Sequence, residues 1–135
     1  MTGTRNGANF LPNNPAKTVY ENEINSSPSV NNKIGLMYAS DYGFAAAPSA
    51  WTSNMSSYNS SSTKSVNWMY MGLNEWTITP ISSDSGNVFT LGGDGYLNFN
   101  YAGYGYGGRP VLYLKASVAY AGGSGTKDSP ITLVV

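Results

Sequence analysis

Asn87-Val88-Phe89-Thr90-Leu91-Gly92-Gly93-Asp94-Gly95-Tyr96-Leu97-Asn98-Phe99-Asn100-Tyr101 is the stretch that decides the fold class. Two β-forming runs flank Gly92-Gly93-Asp94-Gly95. Asp-Gly and Gly-Gly supply the positive-φ positions that tight hairpin turns need. The stretch predicts two antiparallel strands, with Leu97 and Phe99 inward and Tyr96, Asn98 and Asn100 outward. Just upstream, Glu75-Trp76-Thr77-Ile78-Thr79-Pro80 alternates too. It predicts a third strand, with Trp76 and Ile78 on one face and both threonines on the other.

Working outward, residues 34–38 predict a buried strand, followed by a turn with Ser40 or Asp41 as a helix cap. The apolar run 66–70, bounded by Gly72, reads as β. Val111-Leu112-Tyr113-Leu114 is the most apolar run and predicts a central strand. Residues 117–120 and 131–135 predict weaker strands around a turn at 122–127. Residues 18–24 suit a short helix or strand, and 45–64 a long surface loop with one helical turn, anchored by Trp51. Long helices and internal repeats are not indicated. The expected fold class is α+β, β-rich, in one domain. An irregular N-terminal segment, 1–32, is expected to pack on a body spanning 33–135.

A chain of 135 residues and 14.3 kDa needs only one core. It has no His and no Cys, seven basic and seven acidic residues, and a net charge of zero. Disulfides, the usual zinc sites and Ser-His-Asp or Cys-His catalysis are therefore excluded. A neutral chain lacks the basic residues that drive nucleic-acid binding. No segment reaches the ~20 apolar residues of a membrane span. An exported form is expected to carry its targeting segment upstream of Met1. Low charge with many Ser, Asn, Gly and Tyr suits an extracellular β-rich domain.

Most motifs dissolve on inspection. Gly103, Gly105 and Gly108 match a dinucleotide-loop spacing, but Pro110 and an apolar run follow where a helix must open. The acids Glu21, Glu23, Asp41, Glu75, Asp84, Asp94 and Asp128 are scattered, which argues against a glycosidase pair. Asp84-Ser85-Gly86-Asn87 lacks the spacing of a calcium loop. Tyr96, Tyr101, Tyr104 and Tyr106 could stack bases, but residues 65–108 contain no Lys or Arg. Arg109 reads as a loop pin, binding backbone carbonyls before Pro110 starts a strand.

The informative window is 82–108. Of its 27 residues, 18 are Gly, Tyr, Ser or Asn, which is the composition of antibody-like paratopes. Tyr gives large contact area with few rotors, and Ser, Gly and Asn give adaptable hydrogen bonds.

A set of short motifs then brings in a family. Lys33-Ile34-Gly35-Leu36-Met37-Tyr38-Ala39-Ser40-Asp41-Tyr42-Gly43, Asn67-Trp68, Trp76-Thr77-Ile78-Thr79-Pro80, Val88-Phe89, Gly108-Arg109-Pro110-Val111-Leu112-Tyr113-Leu114-Lys115 and the stretch 122–130 follow one another in order. This series resembles the C-terminal domains of pilin-like surface proteins from gut Firmicutes. Those look like C-type-lectin-fold domains, similar to the formylglycine-generating enzyme and to variable proteins of diversity-generating retroelements. The resemblance covers roughly residues 33–134. It implies a C-type-lectin-like domain with an exposed, variable ligand face before the Gly-Arg-Pro strand. Asn, Ser, Tyr, Gly and Asp are also among the products of randomised adenines in Asn codons. Related members often carry a cysteine pair in the stretch matching 50–67, which is missing here. The catalytic cysteines of the formylglycine-generating branch are missing too, so that activity does not carry over.

The expectation is a non-enzymatic recognition or adhesion domain with no cofactor and no metal. Its ligand-binding residues are Ser83, Asp84, Ser85, Asn87, Thr90, Asp94, Tyr96, Asn98, Asn100, Tyr101, Tyr104 and Tyr106. Arg109, Trp51, Trp68 and Trp76 are expected to be structural, the tryptophans as core. The partner would be a protein or glycan on another cell or host surface. The resemblance implies attachment to a pilus or other filament, without nucleic acid or membrane insertion. The location would be a bacterial cell surface or a virion tip. The rival expectations are a filament subunit with no ligand of its own, a viral receptor-binding tip, and a glycan-processing enzyme acting through Glu75, Asp84 or Asp94.

Overall fold

A computed structural model describes residues 13–26, 34–81, 84 and 86–135. The chain mixes short helices with antiparallel sheets, as an α+β chain does. Helix α1 is Ala16–Ser26, α2 is Ala39–Phe44 and α3 is Ser61–Lys64, with 3-10 turns at Pro48–Ala50 and Met55–Ser57. The strands are β1 Gly35–Leu36, β2 Glu75–Pro80, β3 Asn87–Leu91, β4 Leu97–Tyr101, β5 Pro110–Val111, β6 Ala119–Gly122 and β7 Thr132–Val134. They pair as β2-β3-β4, β1-β5 and β6-β7.

The hairpin read from the sequence is β3-β4, in unbroken register from Asn87↔Tyr101 to Leu91↔Leu97. Its turn closes through Gly92 N–H to Tyr96 O at 2.9 Å and Gly95 N–H to Gly92 O at 2.8 Å. Gly95 sits at φ +93°, where a Cβ would be strained. The Tyr42 hydroxyl donates to Gly95 O at 2.7 Å and ties this turn to α2. Burial holds the Tyr42 hydroxyl well above the usual tyrosine pKa.

The stretch 18–24 resolves as helix and not strand. Ala16, Val19 and Glu23 are buried, and their spacing puts them on one face. That face meets α2 closely: a Cβ on Gly43 would stand 2.6 Å from the Ala16 Cβ. Residues 16–26 are therefore regular, against the expected irregular segment, and they supply part of the core. Residues 1–12 and 27–33 lie outside the described ones.

The stretch 45–64 is more than a surface loop. Ala45, Ala46, Ala50, Met55 and Tyr58 are all buried in the core with Met37, Tyr42, Phe89, Leu91 and Leu97. Trp51 anchors it from a half-buried position. Its indole N–H donates to Ala46 O at 2.9 Å, and its ring meets Phe44 edge-on at 5.2 Å.

Several expectations fail for identifiable reasons. Strand β2 is turned the other way: Glu75, Thr77 and Thr79 are buried, while Trp76 and Ile78 are half-buried. Each buried polar group has a partner. Thr77 Oγ1 donates to Phe89 O at 2.8 Å, and Thr79 Oγ1 donates to Glu23 Oε1 at 2.5 Å while accepting from Ala39 N–H at 2.9 Å. Satisfied hydroxyls can line a core face at little cost. The run 66–70 forms turns, because Asn67 is buried and cross-links the chain. Its Nδ2 donates to Tyr42 O and its Oδ1 accepts from Met69 N–H, both at 3.0 Å. The apolar run 111–114 is no central strand. β5 ends at Val111, and Leu112, Tyr113 and Leu114 are exposed. Tyr113 is held instead by its hydroxyl, which donates to Asp41 Oδ2 at 2.6 Å. Phe99 lies opposite Phe89 but is 41% exposed, since β4 is the edge strand of its sheet.

Candidate functional site

The face of the β2-β3-β4 sheet away from the core follows from the register. Trp76, Thr90 and Asn98 stand directly opposite one another, as do Val88 and Asn100. Opposed residues share a face and neighbours alternate. Glu75, Leu91, Leu97 and Phe89 therefore face the core, and Trp76, Thr90, Asn98 and Asn100 face outward.

A glycine-rich strap crosses this outer face. The chain leaves β4 where Ala102 N–H donates to Gly86 O at 3.0 Å. It arrives at Gly107, which bridges to Glu75 in parallel. There Trp76 N–H donates to Gly107 O at 2.8 Å, and Gly107 N–H donates to Asn74 O at 3.0 Å. β3 already occupies one edge of β2 at Trp76, so Gly107 lies on the other edge. β2 and β4 flank β3 on opposite sides. Residues 102–107 thus pass over the sheet, carrying Tyr104 and Tyr106.

The result is a connected row of rings. Trp76 and Tyr106 stack with centroids 4.9 Å apart at 33°, Tyr106 and Tyr104 lie 6.0 Å apart at 38°, and Tyr104 meets Tyr101 edge-on at 6.2 Å. Such pairs are favourable offset or edge contacts. Tyr101 and Tyr104 are exposed and Tyr106 is half-buried. Tyr101 belongs to the core-side register, so the row wraps from the outer face around the end of the hairpin.

The strap is fixed from below by an ion pair. Arg109 Nε donates to Glu75 Oε1 at 2.9 Å, and Arg109 Nη2 reaches Glu75 Oε2. This fork-to-carboxylate pairing corrects the expected role of Arg109: it grips a buried side chain, not loop carbonyls. It also consumes the charge of Glu75. The acids left at the surface of residues 65–108 are Asp84 and Asp94, with no Lys or Arg among them.

The expected ligand residues fall into groups. Tyr101, Tyr104 and Tyr106 come together as the ring row, while Asn98 and Asn100 stand on the outward face of β4 and Tyr101 on the opposite register. Asp84 and Asn87 form a local pair near Tyr101, with Asn87 Nδ2 donating to Asp84 Oδ2 at 2.6 Å. Asp84 Oδ1 accepts from Gly86 N–H at 2.8 Å. Asp94 is exposed at the opposite, turn end of the hairpin, and Tyr96 packs its ring on Gly92 there. Thr90 is a correction: it is only 1% exposed although it stands on the outward register, and its Oγ1 accepts from Asn100 Nδ2 at 3.0 Å. Ser83 and Ser85 lie outside the described residues.

Two tryptophans are also corrected. Trp76 is not core but the inner end of the aromatic row. Trp68 is 79% exposed, because buried Asn67 and Met69 on either side turn it outward. Sequence reasoning missed Met71 and Leu73 altogether; both are more than half exposed beside Asn74, which holds the strap. The signal was Gly72 between them, which breaks any strand there at φ +71°.

Among the described residues, no group of three or more acidic side chains is placed to hold a metal ion, and no helix is long and apolar enough to cross a membrane. No protein-family model, curated protein or solved structure matches the chain.

Proposed function

We propose that this chain is a recognition domain of a surface protein, C-type-lectin-like in fold, which binds a macromolecular ligand without catalysis. The observation that carries the reading is the strap: a glycine-rich segment pinned at both ends that joins a row of aromatic rings from Trp76 on the outer sheet face to Tyr101 at the end of the hairpin. Tyr101 and Tyr104 would be the anchors, with Asn98 and Asn100 as adaptable hydrogen-bonding neighbours. Trp76, Thr90, Glu75 and Arg109 would preorganise them, which lowers the entropy lost on binding. Pairing of β1 with β5 supports the lectin-like reading, since it joins an early segment to the strand after the proposed ligand face. The composition of 82–108 is compatible with retroelement diversification of this face.

The test is a Tyr101→Ala/Tyr104→Ala chain produced in the source cells. The reading expects surface display and filament assembly to persist while adhesion is lost. Intact adhesion with weakened assembly would mean a filament subunit instead.

A further inference from the structure

We infer that Gly103 is a positioning residue of the proposed binding face: the side chain it lacks leaves the space in which the Tyr101 ring is held. The inference rests on the reading of Tyr101 as an anchor.

Tyr101 is 60% exposed, so burial does not fix its ring. Its neighbours do. A Cβ on Gly103 would stand 2.6 Å from Tyr101 Cε1 and 3.1 Å from Cδ1, closer than carbon atoms pack. On the opposite edge of the ring, a Cβ on Gly86 would stand 3.5 Å from Cδ2 and Cε2. Tyr104 meets the ring edge-on at 6.2 Å. The two glycine segments are themselves tied, since Ala102 N–H donates to Gly86 O at 3.0 Å. An exposed anchor held in this way has less rotamer freedom left to lose when a ligand closes on it.

The backbone gives no other reason for glycine at this position. Residues 101–104 form a turn closed by Tyr104 N–H to Tyr101 O at 3.1 Å. Gly103 lies inside it and does not sit at the positive φ that reserves a turn position for glycine. Gly105 is the contrast within the same segment. It too lacks a positive φ, and a Cβ there would meet nothing within 4 Å. Of these two glycines, the Tyr101 ring constrains Gly103 alone.

Gly103→Ala must therefore move either the turn or the ring. The ring is the softer of the two, because it is exposed and turns about its own side-chain bonds. The effect falls on where the anchor points and not on whether the chain folds. Removing a glycine also restricts the unfolded chain, which opposes any loss of stability. Small displacements of this kind are enough to spoil a preorganised site.

The test compares Gly103→Ala, Gly105→Ala and Tyr101→Ala with wild type. Adhesion is measured with each intact chain displayed on the source cells. Urea unfolding and the NMR resonances of the Tyr101 ring protons, identified by their loss in Tyr101→Ala, are read on the purified chains. Gly103→Ala is expected to keep or raise the urea midpoint, to shift the Tyr101 ring resonances, and to lose adhesion about as far as Tyr101→Ala does. Gly105→Ala is expected to leave those resonances in place and to retain more adhesion than Gly103→Ala. Wild-type adhesion in Gly103→Ala, with Tyr101→Ala impaired, would overturn the inference and leave the anchor reading standing. So would unshifted ring resonances in Gly103→Ala, or an equal loss of adhesion in Gly105→Ala. A Gly103→Ala chain that fails to fold would overturn it too, since the glycine would then serve the turn and not the ring. Wild-type adhesion in Tyr101→Ala would overturn the anchor reading and the inference together.

Discussion

A carboxylate at 5% exposure needs a partner that follows it into the interior, and Glu75 has one in Arg109. Removing one member of such a pair strands the other charge, at about 3 kcal/mol or more. Arg109→Ala is expected to lose about that much in urea unfolding, and Arg109→Ala/Glu75→Gln to recover part of it. Glu23 is a second buried carboxylate, with different consequences. It accepts from Ser40 N–H at 3.2 Å, from the Ser40 hydroxyl and from Thr79 Oγ1, tying α1 to α2 and β2. Burial nevertheless raises its pKa, outweighing those hydrogen bonds. A carboxyl whose pKa is higher folded than unfolded binds protons preferentially in the folded state. Its contribution is full below the unfolded pKa and is lost as pH rises through the folded one. Glu23→Gln should remove that slope. The stability of wild type minus variant is expected to fall as pH rises from the acid range towards neutrality, read by urea unfolding at a series of pH values. A difference that rises over that range would contradict the assignment.

At the scale of elements, the hairpin and the strap make different demands. The hairpin is structural. Gly95→Ala is expected to cost about 1–2 kcal/mol from its positive φ alone, with added crowding against the Tyr70 ring. The strap tip is free to change: Tyr104→Ala should leave stability within about 0.5 kcal/mol, because the ring is exposed. Differential scanning calorimetry separates the two. The same contrast explains what was legible in the residues. β3-β4 could be read because its turn glycines and its alternation are local. The orientation of β2 could not, because Thr77 and Thr79 are satisfied by Phe89 and Glu23, 12 and 56 residues away. Periodicity weighs apolar against polar and cannot see a polar group with a distant partner. Trp68 failed for a related reason: the buried amide of Asn67, not the larger indole, fixes which way the loop turns. Thr90 failed because its outward register alone marks it as exposed, whereas the fold buries it with the Asn100 amide on its hydroxyl. Tyr101, Tyr104 and Tyr106 were legible as a group, since they fall close together in a glycine-rich run, though the half-burial of Tyr106 against Trp76 was not.

For the molecule as a whole, core and face are separable. The core gathers α1, α2, the 45–58 segment and one side of the sheet. The other side carries the strap, and the loop 66–73 is tied to α2 and to the hairpin turn. A fold of this kind can change the exposed rings and amides without disturbing the packing below, provided Thr90, Glu75 and Arg109 are kept. The measurement that tests this most directly is deep sequencing of the locus across a population of the source cells, codon by codon. The account predicts substitutions at adenines, concentrated at Asn98, Asn100, Tyr101 and Tyr104, and sparing Thr90 within the same window and Glu75 and Arg109 beside it. A window as invariant as its flanks, or one in which buried Thr90 varies as freely as exposed Tyr104, would contradict it.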